Sequence, residues 1–229
     1  MLQGGHEPMA MNNPYDAPDQ VPNVIAVFPL TGILLLPRGE LPLNIFEPRY
    51  LTMIDDAMRS HRVIGMIQPE ENSSYRDTPG LLTVGCAGRI TQIAETGDGR
   101  YLLTLTGISR FRVVEEVVAM TPYRQCRVDF SAFSSDFTPR VGENAVDRES
   151  VLRTLREFAE ANQLQIDWTS IHEAPNEALV NALSMMSPYG PREKQALLEA
   201  PDLKARAEVL VAITEIELAR GSGSASPLQ

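Results

Sequence analysis

The chain has 229 residues, 43% of them hydrophobic and 22% charged, and 20 basic against 30 acidic side chains give a formal net charge of −10 at pH 7. Those figures suit a soluble globular protein of one large or two small domains. No apolar run reaches the roughly 20 residues that a membrane span needs, and a negative total offers no general field for nucleic-acid phosphates.

Residues 1–20 are rich in Pro, Asn, Asp and Gly, lack hydrophobic periodicity, and are predicted to be a disordered tail. They carry neither a basic n-region nor an apolar h-region, so no signal peptide is predicted and a cytoplasmic protein is expected. Residues 21–135 read mainly as short strands: 24–30, 40–46, 63–68, 81–95, 101–117 and 122–130. Gly85 and Gly88 interrupt one alternating run and predict a bulge or a close backbone approach. "TGDGR" (96–100) predicts a hairpin turn, since Gly and Asp tolerate positive φ.

From about residue 140 the apolar period becomes helical. Segments 147–164, 175–186, 192–200 and 202–220 each place apolar residues on one face. Pro175 is expected at a first helical position and Asp202 as an N-cap. Residues 140–220 are therefore expected to form a helical subdomain, and 221–229 ("GSGSASPLQ") a flexible tail.

"LPLNIFEPRY" (41–50) is the most informative stretch. It begins as an alternating strand. Pro48 then suits the first turn of a helix, and Glu47 precedes it, where a carboxylate faces free backbone N–H groups and the positive end of the dipole. Arg49 has Glu47, Asp56 or neighbouring strand carbonyls within reach. Tyr50 can bury its ring and keep its hydroxyl at the surface. Glu47, Arg49 and Tyr50 thus read as a structural cap, ion pair and core aromatic, or as an exposed polar clamp for a ligand.

Chemical motifs are missing from the sequence. A P-loop needs a lysine after glycine, and neither Lys194 nor Lys204 has one. Both lysines are expected to be exposed on helices. No G-x-S-x-G elbow occurs. His6, His61 and His172 do not have zinc-site spacing, and Cys86 and Cys126 read as buried thiols. No catalytic residue, cofactor or metal site is predicted.

The run "VFPLTGILLLPRGELPLNIFEPRYLTMIDDAM" (27–58) resembles the opening of the Lon protease N-terminal domain in its stand-alone form. Pro29, Leu30, Pro37, Pro42, Phe46, Glu47, Arg49 and Tyr50 carry the likeness. Segments 84–93, 102–113 and 122–130 resemble that domain's later strands, and 192–210 its closing helices. The resemblance implies an α+β fold: a PUA-like β-barrel with a helix inserted after the second strand, followed by a C-terminal helical bundle. In full-length Lon this region helps to recognise and deliver protein substrates and supports assembly. The ATPase and Ser–Lys peptidase domains follow it, and this chain is expected to stop before both.

The leading functional expectation is a non-catalytic module for unfolded or tagged polypeptide, or an adaptor in protein quality control. Its candidate contacts are Leu34, Leu35 and Leu36 in a loop, with Met185 and Met186, methionine being adaptable at promiscuous surfaces; core packing is the competing reading of each. The alternative is a small-molecule or RNA binder using the barrel, with Arg89, Arg100, Arg110, Arg112, Arg124 and Arg127 gathered on one face. A hydrolase built on Ser109 or Ser184 is a third reading. Self-association through a symmetric contact stays open.

Overall fold

In the computed structural model, residues 14–70 and 79–223 are described. The elements are β1 (Val24–Pro29), β2 (Glu40–Ile45), α1 (Pro48–Met58), β3 (Val63–Pro69), β4 (Leu81–Thr96), β5 (Arg100–Val117) and β6 (Gln125–Asp129), then α2 (Arg148–Ala161), α3 (Trp168–Glu173), α4 (Asn176–Met186), α5 (Pro191–Glu199) and α6 (Leu203–Gly223). Short 3-10 turns lie at Pro18–Gln20, Ser131–Phe137 and Glu143–Ala145.

The strands form one mixed sheet in the order β2-β5-β4-β3-β1-β6, and β5 also pairs with β6 through Arg112–Val117. Among the described residues, only β1 and β3 pair in parallel. Parallel strands are usually covered on both faces, and β1 obeys this. Ile25 and Val27 enter one buried cluster with Val63, Phe111 and Val128, while Phe28 enters the other with Met53, Leu105 and Val180. Alternation of side chains along a strand thus serves two cores. The first lies among the strands. The second lies between strands, α1 and helices α2, α4, α5 and α6.

Glycine permits two close approaches. A Cβ on Gly85 would lie 2.5 Å from the Phe111 ring and 2.6 Å from Met66 O, and one on Gly107 would collide with Leu36 O. Two register shifts in the β4–β5 ladder leave Ile108 extra on β5 and Thr91 extra on β4. The expected bulge is therefore present.

Pro48 opens α1 and the Asp202 side chain accepts a backbone N–H bond at the start of α6, both as expected. Asp147 and Asp167 cap α2 and α3 in the same way. Pro175 is the N-cap of α4 rather than its first residue. The short α3 was not foreseen, because six residues are too few to show a helical period.

The tails differ from expectation where they are described. Residues 1–13 and 224–229 lie outside the described residues. Within 14–20, Tyr15 packs against the strand core and Pro18–Gln20 forms a turn. Residues 221–223 continue α6.

Candidate functional site

At the strand-to-helix joint, Glu47 holds the N-cap position but its side chain makes no cap bond. Its carboxylate instead accepts from Arg49, with Nε 3.0 Å and Nη2 2.8 Å from Oε2. The Arg49 guanidinium lies 4.5 Å over the Tyr50 ring. Tyr50 is buried against Phe28, with centroids 4.3 Å apart. Burial raises its phenol pKa, a push that Arg49 partly opposes. The three residues therefore share one exposed pair stacked on a buried aromatic. Phe46 is 60% exposed, with Arg100 near its ring. Pro29 ends β1, Pro42 sits within β2, and Leu30 packs against the core.

The leucine expectation is overturned. Leu34, Leu35 and Leu36 are 3%, 1% and 0% exposed and belong to the core beneath the helices. They are unavailable to a partner because the loop folds inward over Gly107. Arg38 N donates to Gly107 O at 2.8 Å, and Gly107 N donates to Gly39 O at 2.9 Å. Asn181 Nδ2 on α4 donates to Pro37 O at 3.2 Å. Each buried leucine contributes about 1.5–3 kcal/mol, which favours this inward path.

The methionines behave differently. Met185 is half-buried beside Gly39, whereas Met186 is 81% exposed. They line one wall of a groove of about 490 Å³ with Ala178 and Ala182, and Pro37–Glu40 line the opposite wall. Arg38 braces this groove. Its φ of 63° is uncommon for a residue with a Cβ, and its guanidinium is held by both carboxylate oxygens of Glu177 and by Asp136 O at 2.6 Å. Glu177 Oε2 also accepts from Arg140 N at 2.9 Å.

Of the arginines expected to share a basic face, Arg110 is buried. Arg100 pairs with Asp98, Arg124 with Glu116 and Arg127 with Glu115. Arg89 stacks over Tyr15, and Arg112 lies 5.7 Å from the Phe133 ring centre.

Ser109 and Ser184 are both 0% exposed, and their hydroxyls donate to Arg110 O and Val180 O. Lys194 corrects its own expectation. It is buried, not solvated, because its Nζ donates to Met185 O at 2.6 Å and so ends the α4 carbonyl ladder. Burial lowers its pKa. Lys204 stays exposed beside Glu208. Cys86 and Cys126 are buried free thiols, as expected. Among the described residues, no group of three His, Cys, Asp or Glu side chains is placed to hold a metal.

Sequence reasoning missed a buried polar seam that joins strands to helices. Arg110 binds Asp136 through two oxygens and also donates to Leu198 O and Ala200 O. Arg206 donates to Leu197 O and Asn181 Oδ1, and Gln68 donates to Gln195 Oε1 and Pro191 O. These partners lie up to 127 positions apart. No local pattern connects them.

The mixed sheet with several helices packed on it is the fold of Lon N-terminal domains. It superposes on the Lon N-terminal domain protein from Xanthomonas campestris with a TM-score of 0.58 at 23% identity, covering 82% of this chain and 97% of that one. For the N-terminal domain of the Mycobacterium avium complex Lon protease the TM-score is 0.61 at 18% identity, covering 84% and 98%. The family profile for the ATP-dependent protease La (LON) substrate-binding domain matches residues 24–215, and the chain belongs to that family. It is 31% identical over 202 residues to Lon protease 2 of Myxococcus xanthus, which covers 84% of this chain and 24% of that protein. The corresponding figures for the Lon protease of Anaeromyxobacter dehalogenans are 28%, 84% and 23%. The chain thus spans about a quarter of the length of these relatives.

Proposed function

We propose that this chain is a non-catalytic, cytoplasmic protein-binding module that holds unfolded or tagged polypeptide, as a recognition element or adaptor in protein quality control. Family membership supports recognition of protein substrates in general. The observation that carries the specific reading is Met186, 81% exposed at the rim of a groove of about 490 Å³. A flexible, polarizable side chain beside small alanines suits varied apolar residues. We also read the strand half, 21–135, as a PUA-like barrel and 140–220 as its helical companion; the pairing of β5 with both β4 and β6 supports this.

The test is suppression of aggregation of a chemically denatured client, with crosslinking from a photoreactive side chain at position 186. Crosslinks to denatured but not native client, and a severalfold loss of holding with Met186→Glu, are expected. A wild-type chain that neither holds nor crosslinks denatured client would overturn the proposal.

A further inference from the structure

β2 has a strand on one side only. β6 folds back onto β5, but among the described residues β2 pairs with β5 alone. The methionine groove reaches Glu40, the first residue of β2.

The ladder fixes which backbone groups face the free edge. Gly107 N donates to Gly39 O, so the Gly39 backbone turns toward β5. Backbone direction alternates along an antiparallel strand. Leu41, Leu43 and Ile45, opposite Leu105, Leu103 and Tyr101, therefore turn their N–H and C=O groups to β5, and Glu40, Pro42 and Asn44 turn theirs away. Proline suits that second set, since it has no N–H to give the ladder. The free edge thus presents carbonyls at 40, 42 and 44 and N–H groups at 40 and 44, spaced roughly 7 Å apart. The side chains of Glu40, Pro42 and Asn44 are exposed, whereas Leu41 and Leu43 are half-buried against the core. The core is therefore unfinished along this side.

We propose that an extended segment of unfolded polypeptide, with apolar side chains at alternate positions, binds by adding a strand to the free edge of β2. This rests on the protein-binding reading above and specifies how the segment is held. A row of backbone donors and acceptors at strand spacing is matched by another extended main chain, whatever its sequence. Unfolded clients of varied sequence share that main chain. Residues of the added strand opposite Leu41 and Leu43 lie on the same face as these leucines and extend the core. Beyond Glu40 the segment enters the methionine groove. Pro42 argues against a second copy as the occupant. A two-fold β2–β2 pair contains it twice and leaves two carbonyls unanswered, whereas a foreign strand meets it once. Two chains of net charge −10 also repel each other.

The test uses the full chain and a fluorescent octapeptide of alternating valine and threonine, with a lysine added at each end. In an antiparallel added strand the valines lie beside Leu41 and Leu43, and the threonine N–H groups face β2. N-methylation of the threonines is expected to weaken binding at least about tenfold, the scale of two or three lost hydrogen bonds, and N-methylation of the valines to leave it within about twofold. Pro42→Thr supplies the missing donor and is expected to bind the parent peptide about threefold or more tightly than wild type does; Asn44→Pro removes a donor and is expected to bind it about threefold or more weakly. Equal effects of the two methylated series overturn strand addition. So does a wild-type chain that dimerises and is dissociated by Asn44→Pro, because the edge then belongs to a second copy. If denatured client is still held in either case, the protein-binding reading stands without the added strand. If neither peptide nor client is bound, both fall.

Discussion

Arg110 grips both carboxylate oxygens of Asp136 at 2.8–2.9 Å where their side chains are 2% and 9% exposed, and the same guanidinium donates to Leu198 O and Ala200 O. One ion pair thus belongs at once to the sheet, the Ser131–Phe137 turn and the end of α5. Removing one member of a buried pair leaves the other charged and unsolvated, at a cost of about 3–5 kcal/mol. Asp136→Asn is expected to lower unfolding stability by that amount in urea titrations. Strand and helix signals are expected to vanish in one transition, because the pair spans both. Two separated transitions in wild type would contradict this.

The loop over β5 depends on the missing side chain at Gly107. A Cβ there meets Leu36 O, which is backbone and has nowhere to retreat. Gly107→Ala is expected to cost about 1–3 kcal/mol. In amide exchange, the N–H groups of Arg38 and Gly107, which bond across this contact, are expected to lose protection first.

Glu47 and Tyr50 separate the two readings of the family motif. An exposed pair such as Glu47–Arg49 contributes about 0.2–1 kcal/mol, so Glu47→Ala is expected to shift the melting temperature only slightly. Tyr50→Ala removes a ring packed against Phe28 and is expected to cost about 3–5 kcal/mol, as for other buried aromatics. Equal effects of the two changes would overturn the division into exposed clamp and buried anchor.

Tyr123 predicts an alkaline transition. Burial first, then its bond to Asp56, pushes the phenol from 10.0 up to about 12. The folded state keeps a proton that the unfolded chain gives up, so this contribution is complete below pH 10 and disappears as pH rises through about 12. Wild type is expected to lose urea resistance more steeply than Tyr123→Phe between pH 10 and 12. Parallel profiles would show that the phenol is not held neutral.

Much of the fold was legible because it is written locally. Six strand-like runs, two of them alternating, became six strands, and the helix starts at Pro48 and Asp202 carry their signals within three or four residues. The candidate site was less legible. "GILLLP" reads as an exposed apolar loop, and only the contact with Gly107 and Asn181 turns it inward. Lys194 reads as a solvated helix residue until the carbonyl of Met185 appears above it. The seam through Arg110 pairs residues 26, 88 and 90 positions apart, a separation at which one-dimensional periodicity carries no signal. The chemistry-bearing residue types were visible; their depth was not.

That seam also bears on how the chain is made. Arg110 is synthesised long before Leu198, Ala200 and Arg206 exist. At about 5–20 residues per second the wait is roughly 5–20 seconds. During it the strands hold a guanidinium whose carbonyl partners have not been translated. The nascent strand half therefore lacks the partners that complete its interior until α5 and α6 finish the fold begun by the first strands.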